Sequence, residues 1–574
     1  MYRTHTCGEL REDHDGKTVT LAGWIHTIRT HGNVTFIDLR DRYGITQIAA
    51  SEELKGQISV KRESVVQISG VVRKKPQPNK NLATGAIEVQ ASNITILSSA
   101  AEMPLDIHDV SHVTEDTRLK YRYLDLRRDQ LQRNLAMRHR VVKAVRDYLD
   151  SQGFLDIETP VLAKSTPEGA RDYLVPSRVH KGKFYALPQS PQQFKQLLMV
   201  AGFDRYAQIV KCFRDEDTRA DRQPEFTQID IEMSFVDRDD VMRLVEGLVA
   251  HVWKNALDLE APTIPRIAYH DAMRRFGLDA PDLRFGLELH DITALAKRSG
   301  ANVLTTANYV NALVVPKGGA YSRKDIDELT SVAKTYDAKG LVALKATSSG
   351  LDGPLVKHLE AAWQGDLRAE LDANVDDLIL IIGDEKRHIA QVALGRVRLA
   401  VGEKMGLRDP SKFSFAWIID FPLLEYSEDE KRHVAVHHPF TRPHPEDIDK
   451  LETSPGDVRS MQYDLVLNGS EIAGGSIRIH ERELQQKIFN LLHITAEEQE
   501  IKFGHLLKAF SYGAPPHGGI AFGLDRFVAI IQHTDNIREV IAFPKNKNAV
   551  SLMDEAPDTV DAQQLDELGL SLKK

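Results

Sequence analysis

The chain has 574 residues, 42% hydrophobic and 27% charged, with a net charge of −9. That length suggests three or four domains with ample cores, and that composition is ordinary for a globular chain without low-complexity tracts. The acidic balance argues weakly against a nucleic-acid partner, although local basic patches can still carry phosphate contacts.

Residues 1–104 read as all-β. Candidate strands are Val19–His26, Val34–Leu39, Ile45–Ala50, Val65–Val72 and Ala86–Leu97, with turn signals at His31-Gly32-Asn33, Tyr43-Gly44 and Pro76–Asn81. Five short strands in about a hundred residues suit a small closed barrel of the OB-fold type. Such barrels bind single-stranded nucleic acid by stacking bases on aromatics. Phe36, with the polar Arg29 and Gln47, is a candidate for that work, or Phe36 is simply core.

Residues 105–125 read as a hinge or linker, and an amphipathic helix is expected over Leu126–Gln152, with Leu135, Val142, Val145 and Leu149 at helical spacing. A further helix should begin near Gln192. Pro191 would sit in its first turn and Ser190 would cap it. The segment 126–281 then holds the most informative stretch, 209–236, IVKCFRDEDTRADRQPEFTQIDIEMSFV. It reads as two strands, Ile209–Phe213 and Phe226–Phe235, joined by a charged loop. Ile229, Ile231, Met233 and Phe235 alternate as in a strand with one buried face. Phe226, Asp230 and Glu232 would share the other face. A charged hairpin loop is usually only a solvated loop. Here an arginine rooted in sheet, Arg214, would converge with an aromatic and two carboxylates, which is what a nucleotide site needs.

Residues 282–412 contain their own helices and strands, such as Asp325–Ala338, Gly340–Lys345 and Leu378–Gly383, and read as an inserted α+β module. Residues 413–574 return to strand–helix alternation, and the tail after Ala556 should pack loosely. YDLVLNGSEIAGGSIRIH at 463–480 offers Asp464 and Glu471, hard-oxygen groups of the kind magnesium takes. On spacing alone they are ordinary solvated acids. His437 and His438 are adjacent, so on a strand they would face opposite ways.

Three segments together resemble the class II aminoacyl-tRNA synthetases. FRDE within 209–236 is similar to their second motif, GGIAFGLDR at 518–526 to the third, and GFLDIETPVL at 153–162, with Pro160, to the first. Their order along one chain is far more specific than any one alone. The resemblance covers nearly the whole length and is closest to the bacterial aspartate-specific branch. It implies an antiparallel-sheet catalytic domain, an anticodon-binding barrel, a homodimer joined near the first motif, and the bacterial insertion at 282–412. It also implies a two-step reaction in which L-aspartate is activated by ATP with Mg2+ and passed to the 3′-end of tRNA(Asp).

By that resemblance Arg214 and Arg526 are catalytic. Arg214 bridges the α-phosphate and the substrate carboxylate, and Arg526 holds the γ-phosphate. Phe226 stacks on adenine. Asp215, Glu216, Gln223 and Glu471 complete the nucleotide contacts, with the Gly523-Leu524-Asp525 backbone close beneath. Asp464 and Glu471 hold magnesium. Glu168, Gln192, Lys195, Asp230, His437 and Arg478 surround the aspartate, with Arg478 gripping its side-chain carboxylate. Arg29, His31, Phe36 and Gln47 read the anticodon. The family's arginine run before the first turn is reduced here to Arg29. His31 resembles the residue of relaxed members that charge both tRNA(Asp) and tRNA(Asn). An asparagine- or lysine-specific ligase shares the motifs, and a non-catalytic tRNA-binding paralogue or an RNA-free amidoligase would share part of them. The pair Arg478 and Lys195 with the bacterial insertion speak against the first, Arg214, Arg526 and Glu471 against the paralogue, and the N-terminal barrel against the amidoligase.

Two cysteines, Cys7 and Cys212, suggest neither a zinc site nor a disulfide framework. The first residues lack an apolar signal core, and no apolar run approaches the ~18 residues of a membrane span. A cytoplasmic location with no membrane partner is the expectation.

Overall fold

The computed structural model describes residues 1–57, 61–165 and 170–573. The chain divides into two compact units, Met1–Tyr121 and Arg122–Lys574. The division falls inside the segment read as a linker, which carries two short helices, Glu115–Lys120 and Arg122–Asp125.

The first unit is a closed barrel of five strands: β1 (Thr18–His31), β2 (Val34–Asp41), β3 (Gly44–Ala50), β4 (Val65–Lys74) and β5 (Ile87–Ser98). They run in the order β1-β2-β3-β5-β4, and β1 pairs back onto β4. Alternation, interrupted by irregularities in β1 and in the β4–β5 pairing, produces it. Leu21, Ile25, Ile37, Leu39, Ile48, Ile68 and Val89 point inward and are fully buried, while their neighbours point out.

The second unit is built on an eight-stranded sheet. Its strands are β6 (Leu155–Asp156), β9 (Arg205–Phe213), β10 (Glu225–Ser234), β11 (Arg266–Ala268), β17 (Phe415–Ile419), β20 (Gln462–Leu467), β21 (Ser470–Ile477) and β22 (His517–Gly523). The order is β11-β17-β20-β21-β22-β10-β9-β6, antiparallel except at its two edge pairs. Two hairpins flank it, β7 (Leu174–Pro176) with β8 (Phe184–Ala186), and β18 (Leu424–Ser427) with β19 (Arg432–Ala435).

Helix α1 (Asp129–Ser151) and helix α3 (Arg238–Val252) share one large core with this sheet. From β10 that core takes Ile229, Ile231 and Met233. The alternate residues Phe226, Gln228, Asp230 and Glu232 therefore face away from the helices. Helix α2 (Gln192–Val200) begins where expected; Pro191 stands just before its first residue, and Ser190 Oγ accepts the Gln192 N–H, the bond a capping serine makes two residues on. Two expectations for 226–235 are corrected. The strand is buried on both faces from Thr227 onward, because α1 and α3 cover one face and α2, with Lys195 bonded to Asp230, covers the other. It ends at Ser234, and Phe235, at φ 57°, turns out of the sheet with 71% of its surface exposed.

Between β11 and β17 the chain makes a second sheet from β12 (Leu289–Asp291), β13 (Tyr309–Val315), β14 (Val342–Thr347), β15 (Gly350–Asp352) and β16 (Leu378–Asp384), in the order β12-β13-β16-β14-β15. Leu378, Leu380 and Ile382 of β16 pack on one side of it and Ile379 and Ile381 on the other. Both faces are covered, which is why β16 reads as an unbroken apolar run. Helix α4 (Tyr269–Phe276) precedes this sheet and α6 (Arg387–Lys404) follows it, with α5 (Arg323–Thr335) between them. Arg398 of α6, with none of its surface exposed, donates to the carbonyls of Asp282, Phe285, Gly286 and Leu287 and fixes the entry segment. No helix among the described residues is long and apolar enough to cross a membrane.

Candidate active site

The face of the large sheet turned away from α1 and α3 carries a cleft of about 340 Å³. Its floor comes from β10, β21 and β22, and its walls from the charged loop that follows β9 and from helix α7 (Leu524–Ile531). Of the residues expected to meet a nucleotide, Arg214, Glu216, Gln223, Phe226, Glu471, Gly523, Asp525 and Arg526 line it. Asp215 and Leu524 do not. The backbone N–H of Asp215 is bonded to the Arg171 carbonyl, and Leu524 is core.

The Arg214 guanidinium lies 5.0 Å from the centre of the Phe226 ring, so one face of that ring is already covered. Arg214 Nε is buried and has no hydrogen-bond partner. Arg526 is held by the Glu471 carbonyl and by Asp221 at 3.2 Å, and Arg222 by Glu216 at 3.2 Å. Gln223 is a clamp: its side-chain amide donates to the Lys545 carbonyl and accepts the Lys545 N–H. Asp525 is likewise engaged, accepting from Arg138 and from the Thr227 N–H. A side chain at Gly523 would meet nothing nearer than 4.0 Å, so it would project into the open cleft. A ligand can approach the backbone there.

A buried ionic network adjoins this cleft on the same strand face. Lys195 Nζ lies 2.7 Å from Asp230 Oδ1 and 3.3 Å from Glu232 Oε2. Arg478 grips Glu232 through Nε and one terminal nitrogen, at 3.0 and 3.1 Å, and its other terminal nitrogen donates to Ser476 Oγ. None of these four is more than 6% exposed. Gly519 makes room for Glu232, whose Oε2 would lie 2.0 Å from any Cβ placed there. Asp230 Oδ2 is left without a partner, and burial raises that carboxyl above its ordinary pKa against the pull of Lys195. Gln192 donates to Gln196, and Gln196 donates in turn to His517.

Of the adjacent histidines, His437 stands edge-on to Phe421. His438 is the ring within electrostatic reach of Arg478 and Lys195, so of the two it is His438 that faces the network. Glu168 lies outside the described residues. Glu232, foreseen only as one of two carboxylates on the strand's outer face and given no role of its own, is the residue that fixes Arg478. Its even position on the strand was the signal, but its partner is 246 residues away in sequence. Asp221, Arg222 and Gln228 were also missed as lining residues.

Asp464 and Glu471 come together. An added Cβ at Gly474 would lie 3.0 Å from Asp464 Oδ1 and 3.2 Å from Glu471 Oε1. Glu471 keeps solvent access, yet protein surrounds it on most sides. Both carboxyls are pushed above their ordinary values, first by this desolvation, with Asp464 raised further by Glu471. Two crowded carboxylates of this kind fit a divalent cation, which would relieve their repulsion. No cluster of three ligating side chains exists among the described residues, so such an ion would take its remaining oxygens from water and ligand.

The network sets an acid-stability prediction. Burial, then Arg478 and Lys195, push His438 down to about 3 from 6.5. Burial would raise Glu232, but Arg478 and Lys195 outweigh it and hold that carboxyl at about 2 against 4.5. Both values are depressed by folding. Each group therefore adds stability above its unfolded value, and that stability is lost as pH falls towards the folded one. Against the opposite pull of the raised Asp230, Asp464 and Glu471 carboxyls, these two groups should make the urea midpoint fall as pH drops below 6.5, more steeply under 4.5. A midpoint that stays flat down to pH 4.5 would mean that His438 is hydrated.

In the barrel unit, Phe36 is half-buried and absent from the core, opposite Arg29 in the β1–β2 register. Asp38 lies opposite Gln47. Arg29, Phe36 and Gln47 thus share the outer surface. Arg29 is paired with Asp38 at 2.8 Å, and Gln47 with Glu88 and Lys75. His31 is exposed at the β1–β2 turn.

A family profile described as tRNA synthetases class II (D, K and N) matches residues 114–547, and one described as OB-fold nucleic acid binding domain matches 19–97. The chain belongs to the class II tRNA synthetases. The aspartate–tRNA ligase of Bacillus licheniformis is 53% identical over 588 residues, spanning 100% of this chain and 99% of that protein. The aspartate–tRNA(Asp/Asn) ligase of Caldanaerobacter subterraneus subsp. tengcongensis is 51% identical across 100% of this chain and 98% of its own. The fold is also that of the asparaginyl-tRNA synthetase from Pyrococcus horikoshii solved with asparaginyl-adenylate, at a TM-score of 0.60 and 18% identity over 95% of this chain and 98% of that one.

Proposed function

We propose that this chain is an aspartate–tRNA ligase, acting in the cytoplasm in translation. The α-carboxylate of L-aspartate attacks the α-phosphorus of ATP, forming aspartyl-adenylate and releasing pyrophosphate. A 3′-terminal ribose hydroxyl of tRNA(Asp) then takes the aspartyl group and releases AMP. The observation that carries this reading is the buried Lys195–Asp230–Glu232–Arg478 network beside a cleft lined by Arg214 and Arg526.

Lys195 and the free edge of Arg478 are assigned to the substrate's side-chain carboxylate. With its Nε edge on Glu232, Arg478 would meet that carboxylate through its terminal nitrogens rather than along the whole fork. An asparagine amide would leave these donors unpaired, a mismatch worth up to ~10⁴-fold in discrimination. The unpartnered oxygen of Asp230 suits the substrate ammonium, with Gln192 and Glu168 assigned nearby. His438 and His437 border the same substrate.

Arg214, with its orphan Nε, is assigned to the α-phosphate, and Arg526, released from Asp221, to the γ-phosphate. Adenine would take the face of Phe226 that Arg214 leaves open. Asp464 and Glu471 would hold Mg2+, which supplies charge neutralisation for the polyphosphate; the cleft's own carboxylates would otherwise repel it. The exposed apolar residues Leu155, Val161 and Leu162, at 51%, 47% and 52%, suit a homodimer seam. Light scattering that gives a monomer at micromolar concentration would remove that assignment.

The test is amino-acid-dependent ATP–pyrophosphate exchange with magnesium and no tRNA. L-aspartate should drive it, asparagine and lysine should not, and EDTA should abolish it. Folded protein inert with every amino acid would overturn the reading in favour of a tRNA-binding paralogue.

The barrel is assigned to the anticodon, through Arg29, Phe36 and Gln47. Phe36→Ala should cost tRNA charging about 1–3 kcal/mol in KM, the worth of one stacked base. Adenylate formation and barrel stability should hold, since Phe36 is no part of the core. Equal loss of both activities would return it to a packing role. The exposed His31 favours charging of tRNA(Asn) as well as tRNA(Asp). Aspartylation of the two transcripts side by side should show both, and none on tRNA(Asn) refutes the relaxed form.

A further inference from the structure

A second cleft, of about 370 Å³, opens where α4 meets the β12–β13 edge of the smaller sheet and the first turn of α6. It is separate from the active cleft and shares no residue with it. Among its polar side chains Asn311, Arg387 and Gln391 form no side-chain hydrogen bond among the described residues. Asn311 of β13 is only 4% exposed, lines this cleft, and its side-chain amide makes no hydrogen bond. With no protein partner, that amide is left to water or to whatever enters the cleft. Arg387, the first residue of α6, forms no ion pair among the described residues, and its guanidinium carbon lies over Tyr309, 5.0 Å from the ring centre. That position leaves the guanidinium edge free. Gln391, one turn further along the same helix face, also has no side-chain partner.

The charges are unevenly placed. Arg274 is neutralised by Asp271 at 2.9 Å. Asp291 stands opposite Asn311 in the β12–β13 register, and its Oδ1 accepts the Thr293 N–H. The unopposed positive end is therefore Arg387, beside His388 and the first turn of an 18-residue helix that has no side-chain cap. The walls are fixed before any ligand arrives. Gly277 and Gly395 bring α4 and α6 into backbone contact, and Arg398 ties down four carbonyls of the connecting segment. A preformed site of this kind spares a ligand the cost of ordering it.

We propose that this cleft binds a small organic anion. Its phosphate or carboxylate sits on the free edge of Arg387 at the start of α6, and its polar body bonds to Asn311 and Gln391. Where the body passes Asp291 it presents a hydrogen-bond donor.

The test titrates three probes into the full-length protein by calorimetry: AMP, ribose 5-phosphate and N-acetyl-L-glutamate. Each is repeated on Arg387→Ala and Asn311→Leu. At least one probe should bind wild type at a site that Arg387→Ala weakens about ten-fold or more, the worth of one charge-assisted contact. Asn311→Leu should weaken the same site. Because Arg387 is exposed and unpaired, that variant should keep wild-type melting and, on the function proposed above, wild-type exchange activity. A response to both phosphates identifies a phosphate ligand, and a response to N-acetyl-L-glutamate alone identifies a carboxylate one. AMP binding that is identical in wild type and Arg387→Ala belongs to the active cleft. If no probe distinguishes wild type from Arg387→Ala, the proposal fails, whatever the exchange assay shows.

Discussion

Arg478→Leu should lower aspartate-dependent ATP–pyrophosphate exchange by on the order of 10⁴-fold, while ATP binding is largely kept. Two consequences of one substitution have to be separated. The first is loss of the cation assigned to the substrate's side-chain carboxylate. The second is structural, because Glu232 is fully buried and holds two of the three guanidinium nitrogens of Arg478. Removing Arg478 leaves Glu232 with Lys195 alone, and stranding a buried charge in this way costs about 3–5 kcal/mol. The single variant should therefore be both inactive and less stable. The double variant Arg478→Leu/Glu232→Gln separates the two effects. With the stranded charge gone it should regain most of the melting temperature and none of the exchange. Aspartate activation by the double variant at near wild-type rate would show that Arg478 holds Glu232 and nothing else. If the double variant remains as unstable as the single one, Lys195 and Asp230 need Glu232 charged for their own pairing.

That experiment also shows where sequence reasoning stops. The even positions of β10 put Phe226, Asp230 and Glu232 on one face, and the folded chain keeps that arrangement. Alternation is a local rule, and local rules survive folding when the neighbouring strands agree with them. The five barrel strands and the start of α2 were legible for the same reason. What alternation cannot reveal is the partner across the sheet. Glu232 meets Arg478 from two strands away, because β22 lies between β10 and β21 and its Gly519 has no side chain to intervene. Gln223 illustrates the same limit. It sits in the expected cleft, but its amide is taken up by the Lys545 backbone, 322 residues on. Phe235 failed differently. It continues the apolar alternation by one more residue, yet the chain turns there with positive φ, and the ring is left in solvent. The smaller sheet was legible as a module from its apolar strands. The unpartnered amide of Asn311 was not, since only the packing of α6 against β13 and of α4 against β12 makes the cleft it lines.

Arg214→Ala should lower exchange by on the order of 10³-fold or more, the scale set by removing a guanidinium that stabilises charge on a transferring phosphoryl group. Its stability cost should be close to nothing, and this contrast with Arg478 is the informative part. Arg214 forms no ion pair among the described residues. Its Nε is buried without a partner, and its guanidinium lies over the face of Phe226. A buried donor left open is a standing cost to the folded protein, so removing it takes away a penalty together with a modest cation–π attraction. The melting temperature of Arg214→Ala should therefore stay near wild type or rise slightly while kcat collapses. Arg214→Lys should rescue little. A lysine keeps the charge but loses the planar fork, and its ammonium cannot span a phosphate oxygen and a carboxylate oxygen together. Near wild-type exchange by the lysine variant would mean that only a positive charge is required at this position, and the bridging role assigned to Arg214 would have to be given up. A large stability loss in the alanine variant would instead mean that Arg214 is packed as structure, with the chemistry carried by Arg526 and its neighbours.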